Sequence, residues 1–408
     1  MENKKRSDSF YKRQKENQLK IWQIIKKLIL QICEQNKSEL NSYIEYQVEN
    51  LSIFAKDKSP KNVKDYYNVN SYLKDNFQKL AQQLGFNLNE QILKSFSEQS
   101  DEVKDNEAST QDKKISIQEQ LYNQMVYLGS NDASIHFSKD SRFVLKGIPQ
   151  SQFNTFLREV NEVCLSSIYT KQHLLSVRIF GLFQIESEEI RDQSLELPYN
   201  YFILMENILY DWDFEQNQIK SIYDLKGSSV GRQYEHIESS DNEDIQEQPK
   251  SQNDSPKGNK DQKFHVFFGK DNDFKNKESD RNILKSLPQQ LKQEIIQQLK
   301  EECHHYESLN LMDYSLMVVI GQNIQKQSDK KSQYETQNKF RNIQINEYVV
   351  SLAVIDYLCQ FNFRKSLEST FKSFFCSNPN QISCVEPDIY YERIVKYATQ
   401  EIFTISQN

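Results

Sequence analysis

The chain has 408 residues, 37% hydrophobic and 12% aromatic, enough for two or three structural units with a buried core. Its net charge of −7 is uneven: residues 1–27 hold nine Lys/Arg against three acids, a net of +6, so the other 381 residues carry −13. An acidic body excludes the basic folded face of a nucleic-acid binder, and six scattered cysteines without paired spacing exclude a zinc site and suit reduced thiols in the cytoplasm.

Residues 1–60 read as a variable, basic and amphipathic N-terminal segment ahead of a larger unit at 61–408. The first twenty residues are too polar for a secretory signal. The longest apolar run, "KIWQIIKKLILQIC" at 20–33, is broken by Lys26 and Lys27, so no membrane-spanning helix is expected. Ile21, Trp22, Ile25, Leu28, Ile29 and Ile32 fall at helical spacing. Packing into a core is the plainer use of such a stripe; peripheral contact with an anionic membrane surface is the other. Residues 97–117 form a polar linker.

From 135 onward the pattern turns to strands. "IHFSKDSRFVLKGI" predicts a hairpin, "SQFNTFLREVNEV" a helix, and "VRIFGLFQIES" and "YFILMENILY" two more strands. In "SIYDLKGSSVGRQ" (221–233) a strand-like start runs into two of the chain's nine glycines, with Asp224, Lys226 and Arg232 beside them. Glycine allows positive φ or close approach of the backbone to a ligand, and the flanking cations suit a phosphate. A charged surface turn is the bland alternative for this window. Residues 235–263 lack apolar periodicity and predict a disordered insert, and a second polar insert spans about 322–341. A helix is expected over 283–309, strands at "YSLMVVI" and "YVVSLAVID", and helices after them. The expected fold class is α+β, with a small β-rich lobe of antiparallel sheet followed by a larger mixed lobe, interrupted by polar inserts.

Three features converge on nucleotide chemistry. Lys146 ends a hairpin strand, from which a lysine can reach the phosphates of ATP. If the strands after Asp313 and before Asp356 pair across the second insert, both carboxylates lie at one end. Phosphoryl transfer uses one carboxylate to orient the attacking hydroxyl and another for Mg²⁺. The third feature is the 221–233 stretch.

"YDLKGSSVGR" (223–232), "LMDYSLMVVIG" (311–321), "AVIDYLCQFNFRKSLE" (353–368) and "ISCVEPDIYYERI" (382–394) stand in order behind "RFVLKGIPQSQFNTFLREV" (142–160). Together these blocks resemble the catalytic core of phosphatidylinositol phosphate kinases. The resemblance implies a two-lobed, kinase-like fold with antiparallel sheets, and a lipid kinase that passes the γ-phosphate of ATP to the 5-hydroxyl of phosphatidylinositol 4-phosphate, with ATP and Mg²⁺ as cofactors and that lipid, in an anionic membrane surface, as the partner. It implies that Lys146 meets the ATP phosphates, that Met205, in the "LMEN" hinge, lies beside adenine, and that Asp313 is the catalytic aspartate. Asp356 would bind Mg²⁺, and Asp224 and Lys226 would join the catalytic group near the transferring phosphate. Arg232, Glu368 and Lys372 would govern substrate choice: Glu368 matches the glutamate of members acting on the 4-phosphate lipid, with a surface pairing to Arg364 or Lys372 as its plainer use, and Lys372 lies in "FKSFF" (371–375), whose phenylalanines suit either a lipid interface or a buried core. Family members often dimerise, so a homodimer is an expectation. The sequence departs from the family in its glycine loop: the matching "GSNDASIHF" holds Gly129 alone. Gly147 follows the strand lysine in place of threonine, and Glu159 is the nearest substitute for the lysine's helical partner. Two other readings stay open: a phosphoinositide-binding module that kept the fold, favoured by the altered glycine loop, and a kinase for soluble inositol phosphates, favoured by the acidic core.

Overall fold

The computed structural model describes residues 44–47, 66–96, 135–160, 169–187, 200–214, 216–234, 266–323, 338–361 and 385–404. The first sheet is antiparallel throughout, in the order β1-β2-β5-β6-β4-β3. It comprises β1 (Ile44–Gln47), β2 (Tyr66–Tyr72), β3 (Ile135–Phe137), β4 (Phe143–Ile148), β5 (Ile179–Ser187) and β6 (Tyr201–Glu206). The sheet thus begins inside the 1–60 segment. Helices α1 (Lys74–Gln83) and α2 (Leu88–Phe96) bury Phe77, Leu80, Ile92 and Phe96 in the same core as Phe143 and Phe180. The predicted 135–148 hairpin is β3–β4, with Ile135 opposite Lys146. It leads into α3 (Gln150–Thr155), which continues as a π-helical turn, Phe156–Val160.

The second sheet runs β11-β12-β10-β7-β8, from β7 (Asn217–Leu225), β8 (Phe267–Gly269), β10 (Ser315–Asn323), β11 (Ile343–Ile345) and β12 (Tyr348–Ile355). Its β7–β8 edge pair is parallel, so this sheet is mixed. A two-stranded pair, β9 (Leu311–Met312) with β13 (Cys359–Gln360), lies beside it. The unbroken apolar run of β10 reflects burial on both faces. Leu316, Val318 and Ile320 join the main core, whereas Met317 and Val319 join a smaller one with Trp212 and Ala353. Helices α4 (Asp271–Asn276), α5 (Glu278–Lys285), α6 (Gln289–Ser308) and α7 (Pro387–Tyr397) complete this part. No helix among the described residues is long and apolar enough to cross a membrane.

The two sheets are joined by backbone. Val177 N donates to Val354 O at 3.0 Å and Val354 N to Leu175 O at 2.9 Å, so the approach to β5 pairs with β12. Buried Glu302 of α6 fixes this junction by accepting from Leu175 N at 2.9 Å and Ser176 N at 2.7 Å.

Three sequence expectations are corrected here. The 283–309 helix is two helices, broken at Ser286–Pro288, because proline pushes the residue before it out of helical conformation and then starts α6. The second insert is shorter than 322–341. Gln322 and Asn323 pair in β10, while buried Asn338, Phe340 and Arg341 tie the chain back: Asn338 Nδ2 donates to Leu174 O at 2.7 Å. The strand predicted through Tyr210 stops at Glu206, because the Asn207 side chain accepts from Leu209 N at 3.0 Å and turns the chain. The 18–33 helix, the 97–117 linker and the 235–263 insert lie outside the described residues.

Gly321 shows how tightly the second sheet packs. It follows the register shift in the β10–β7 ladder, and a Cβ there would lie 2.4 Å from Cζ2 of Trp212 and 3.0 Å from Gln218 O. Overpacking of this kind costs about 1–3 kcal/mol. Gly321→Ala should therefore lower the denaturant midpoint with an unchanged slope, and an unaltered midpoint would show that Trp212 yields freely.

Candidate active site

Antiparallel pairing of Ser315 with Ile355, and of Leu316 with Leu225, brings the end of β7, the start of β10 and the end of β12 to one edge. Asp313 and Asp356 thus share an end, as expected if the flanking strands pair. Both adopt left-handed backbone, at φ 65° and 62°. Aspartate tolerates that conformation better than most residues, and here it turns the chain at the strand ends.

Each aspartate meets a lysine. Lys226 Nζ donates to Asp313 Oδ1 at 2.7 Å. Lys146 Nζ, from β4 of the first sheet, donates to Asp356 Oδ1, so this pair bridges the two sheets. Glu159 instead accepts from Gln360 Nε2 at 3.4 Å, so the helical acid nearest Lys146 in sequence is engaged elsewhere. Behind the Lys146–Asp356 pair opens a narrow cleft between the sheets, with apolar walls from Ile148, Val177, Ile203 and Ile355 and with Met205 also in its lining. Its mixture of apolar walls and a few charged groups is the kind of lining a small-molecule site has.

The 221–233 stretch is a built turn. Asp271, the first residue of α4 and fully buried, accepts from Lys226 N at 3.0 Å and Gly227 N at 2.7 Å through Oδ1. Its Oδ2 accepts from Arg232 Nε at 2.7 Å, and Arg232 Nη2 also lies 3.2 Å from Asp224 Oδ1. Asn272 closes the turn by donating to Ser229 O at 2.8 Å. Gly227 sits at φ +70° against α7, where a Cβ would meet Tyr397 Cβ at 3.1 Å and Arg393 O at 3.3 Å. Only glycine combines that backbone with that space.

The charges in this cluster hold one another in place. Burial pushes the Asp224 carboxyl up, but Arg232 and Lys226 outweigh it and keep its pKa below the usual carboxylate value. Burial likewise opposes the charge on Lys226, yet Asp313 and Asp224 raise its pKa, so it stays an ammonium. Arg232 is raised by Asp224 and Asp271 against burial. For Asp271 burial wins over Arg232, and its carboxyl is raised. The Arg232–Asp271 pair is therefore expensive to desolvate; its value is in shaping the turn rather than in net stability.

Of the residues singled out from sequence, the fold thus gathers Lys146, Met205 and Asp356 at the cleft and Asp224, Lys226, Arg232 and Asp313 beside it. Gly129, Glu368 and Lys372 lie outside the described residues. Sequence reasoning missed Asp271. It lies 45 positions after Lys226, beyond a long polar insert, and its one signal is the dense acidic "KDNDF" that opens α4.

A family model described as Phosphatidylinositol-4-phosphate 5-Kinase matches residues 116–342 and 321–401. A probable phosphatidylinositol phosphate kinase of Dictyostelium discoideum is 25% identical over 331 residues, which cover 66% of this chain and 41% of that protein. The chain thus spans less than half the length of this curated relative. With the family match running through both sheets and the cleft between them, the chain belongs to the phosphatidylinositol phosphate kinase family.

Proposed function

We propose that the chain transfers the γ-phosphate of ATP to the 5-hydroxyl of phosphatidylinositol 4-phosphate at an anionic membrane surface, giving phosphatidylinositol 4,5-bisphosphate. The observation that carries this reading is the meeting of two lysine–carboxylate pairs, Lys146–Asp356 and Lys226–Asp313, at the mouth of an apolar cleft. Adenine would lie among the aliphatic walls beside the backbone at Met205, with Lys146, and the Gly129 region, toward its phosphates. Asp313 would orient the inositol hydroxyl and accept its proton as the oxygen attacks the γ-phosphorus and the bond to ADP breaks. Lys226, Arg232 and Asp224 would line the headgroup side, with the two cations offsetting phosphate charge.

The donor set also fits Mg²⁺. Among the described residues no three acids or histidines gather into an all-protein metal site. Mg²⁺ in such enzymes is held by one or two carboxylates plus substrate phosphates, and Asp356 at the cleft mouth is suited to that. When bound, the ion would neutralise charge on the transferring phosphate.

The test is to incubate the purified chain with ATP and Mg²⁺ and, in parallel, vesicles of each monophosphorylated phosphatidylinositol or the corresponding soluble inositol phosphates, then identify the product isomer. Conversion of the 4-phosphate lipid to the 4,5-bisphosphate is expected; preferential use of a soluble inositol phosphate would overturn the lipid assignment. The isomer preference is assigned to Glu368. A carboxylate beside the inositol accepts a hydroxyl hydrogen bond and repels a phosphate at the same position. Glu368→Ala should therefore lower the ratio of kcat/KM for the 4-phosphate over the 5-phosphate lipid by roughly tenfold. A general loss of activity with the ratio intact would remove Glu368 from specificity.

A further inference from the structure

Residues flanking the nucleotide cleft alternate in direction, as strand residues do. Val177, Ile179 and Met205 line the cleft, whereas Arg178, Phe180 and Glu206 line a second, larger cavity of about 440 Å³ that shares no lining residue with it. Three guanidiniums reach this cavity. Arg178 and Arg341 are buried, 5% and 6% exposed, and share one carboxylate: Glu206, at 3.5 Å and 3.4 Å. Those separations exceed the roughly 2.7–2.9 Å of a well-made charge-assisted bond, and both guanidiniums also donate to carbonyls, Arg178 to Tyr169, Lys171 and Gln172 and Arg341 to Leu352 and Leu175. Glu302, the other acid that acts on Arg341, is already engaged by the amides of Leu175 and Ser176.

Arg142 is the third. Its guanidinium lies 4.6 Å from the Tyr210 ring centroid and donates to the Tyr210 hydroxyl at 3.1 Å. Its Nε–H is shielded from water and has no acceptor among the described residues. A shielded donor left without an acceptor is unfavourable. Opposite in character are Phe86 and Phe180, which also line the cavity and meet edge to face at 5.6 Å.

We propose that this cavity is a second ligand site, separate from the nucleotide and lipid sites. It takes a compact organic anion, with a phosphate or carboxylate head among Arg142, Arg178 and Arg341 and an aromatic body against Phe86 and Phe180. Guanidinium forks match such heads, and aromatic walls favour an aromatic body. The lining combines apolar surface with a few polar anchors, as ligand cavities do.

The experiment uses the full chain, saturated with a non-hydrolysable ATP analogue and Mg²⁺ to fill the nucleotide cleft. Binding of 1-naphthyl phosphate is measured by calorimetry against neutral 1-naphthol. The phosphate should bind at least tenfold more tightly than the naphthol, and Arg142→Ala should weaken it at least tenfold. Glu206→Gln removes the carboxylate that competes for Arg178 and Arg341, so it should strengthen binding several-fold, a sign that non-specific adsorption or unfolding would not give. Equal binding of naphthol, loss of binding when the ATP analogue is added, or indifference to both substitutions would overturn the proposal. None of these results bears on the lipid kinase reading, which rests on different residues.

Discussion

Asp356→Asn and Lys146→Met should each lower lipid phosphorylation at least about 1,000-fold while leaving the melting temperature nearly unchanged. Preorganised groups aimed at developing charge are usually the largest catalytic contribution, and losing one costs roughly 10²–10³ in rate. In the proposed reading these two would act on the same triphosphate, one directly and one through its metal, so the upper end applies. Stability should be indifferent because the pair is half-open to water, with side chains 20% and 42% exposed, and such pairs contribute about 0–1 kcal/mol. The double variant should be little worse than either single one, since groups serving one charge are strongly non-additive. The decisive measurement is single-turnover phosphate transfer on protein checked for folding by circular dichroism. Near-normal turnover in either folded variant would remove these residues from the phosphate site. Two independent, multiplying losses would instead separate Lys146 and Asp356 into unrelated roles.

The parts of the site carried by strong local patterns were legible in the sequence. The apolar runs of β10 and β12 and the polar stretch between them predict an antiparallel pair, which is enough to bring Asp313 and Asp356 to one end. The strand–turn–strand pattern likewise placed Lys146 on a hairpin. What sequence could not supply was the set of polar contacts between distant segments. Asp271 is one case, because nothing local in "KDNDF" says that its carboxylate faces the backbone of Lys226 and Gly227. Arg341 is another: it sits in a stretch polar enough to pass for an insert. It is ordered by bonding to the Leu352 and Leu175 carbonyls and by pairing with Glu206 across the lobe junction. Periodicity reports which face of an element is apolar; it is silent on which buried polar groups satisfy one another. Proline at 288 and asparagine at 207 were readable signals of another kind, a helix start and a turn inside otherwise continuous patterns.

Asp271→Ala should show that the shape of the 226–232 turn, and not merely its charge, sets lipid use. The substitution leaves the amides of Lys226 and Gly227 without their acceptor, and leaves buried Arg232 with Asp224 as its remaining carboxylate. Removing one member of a buried pair costs about 3–5 kcal/mol, mostly for the stranded charge. Lower stability is therefore expected, and by itself would say little about function. The informative variant is Asp271→Leu combined with Arg232→Met, which removes both charges together. Replacing a whole buried pair by apolar residues is often neutral or stabilising, so this variant should regain much of the melting temperature lost by Asp271→Ala. It should not regain lipid phosphorylation, because the turn has lost the contacts that present the Lys226 and Gly227 backbone and the Arg232 guanidinium. ATP affinity should stay close to the parent value in both variants, since neither residue lines the cleft between the sheets. A double variant that recovers both stability and lipid turnover would reduce Asp271 to a folding role. One whose ATP affinity collapses would show that the turn and the cleft are a single cooperative unit, with no division between nucleotide and headgroup sides.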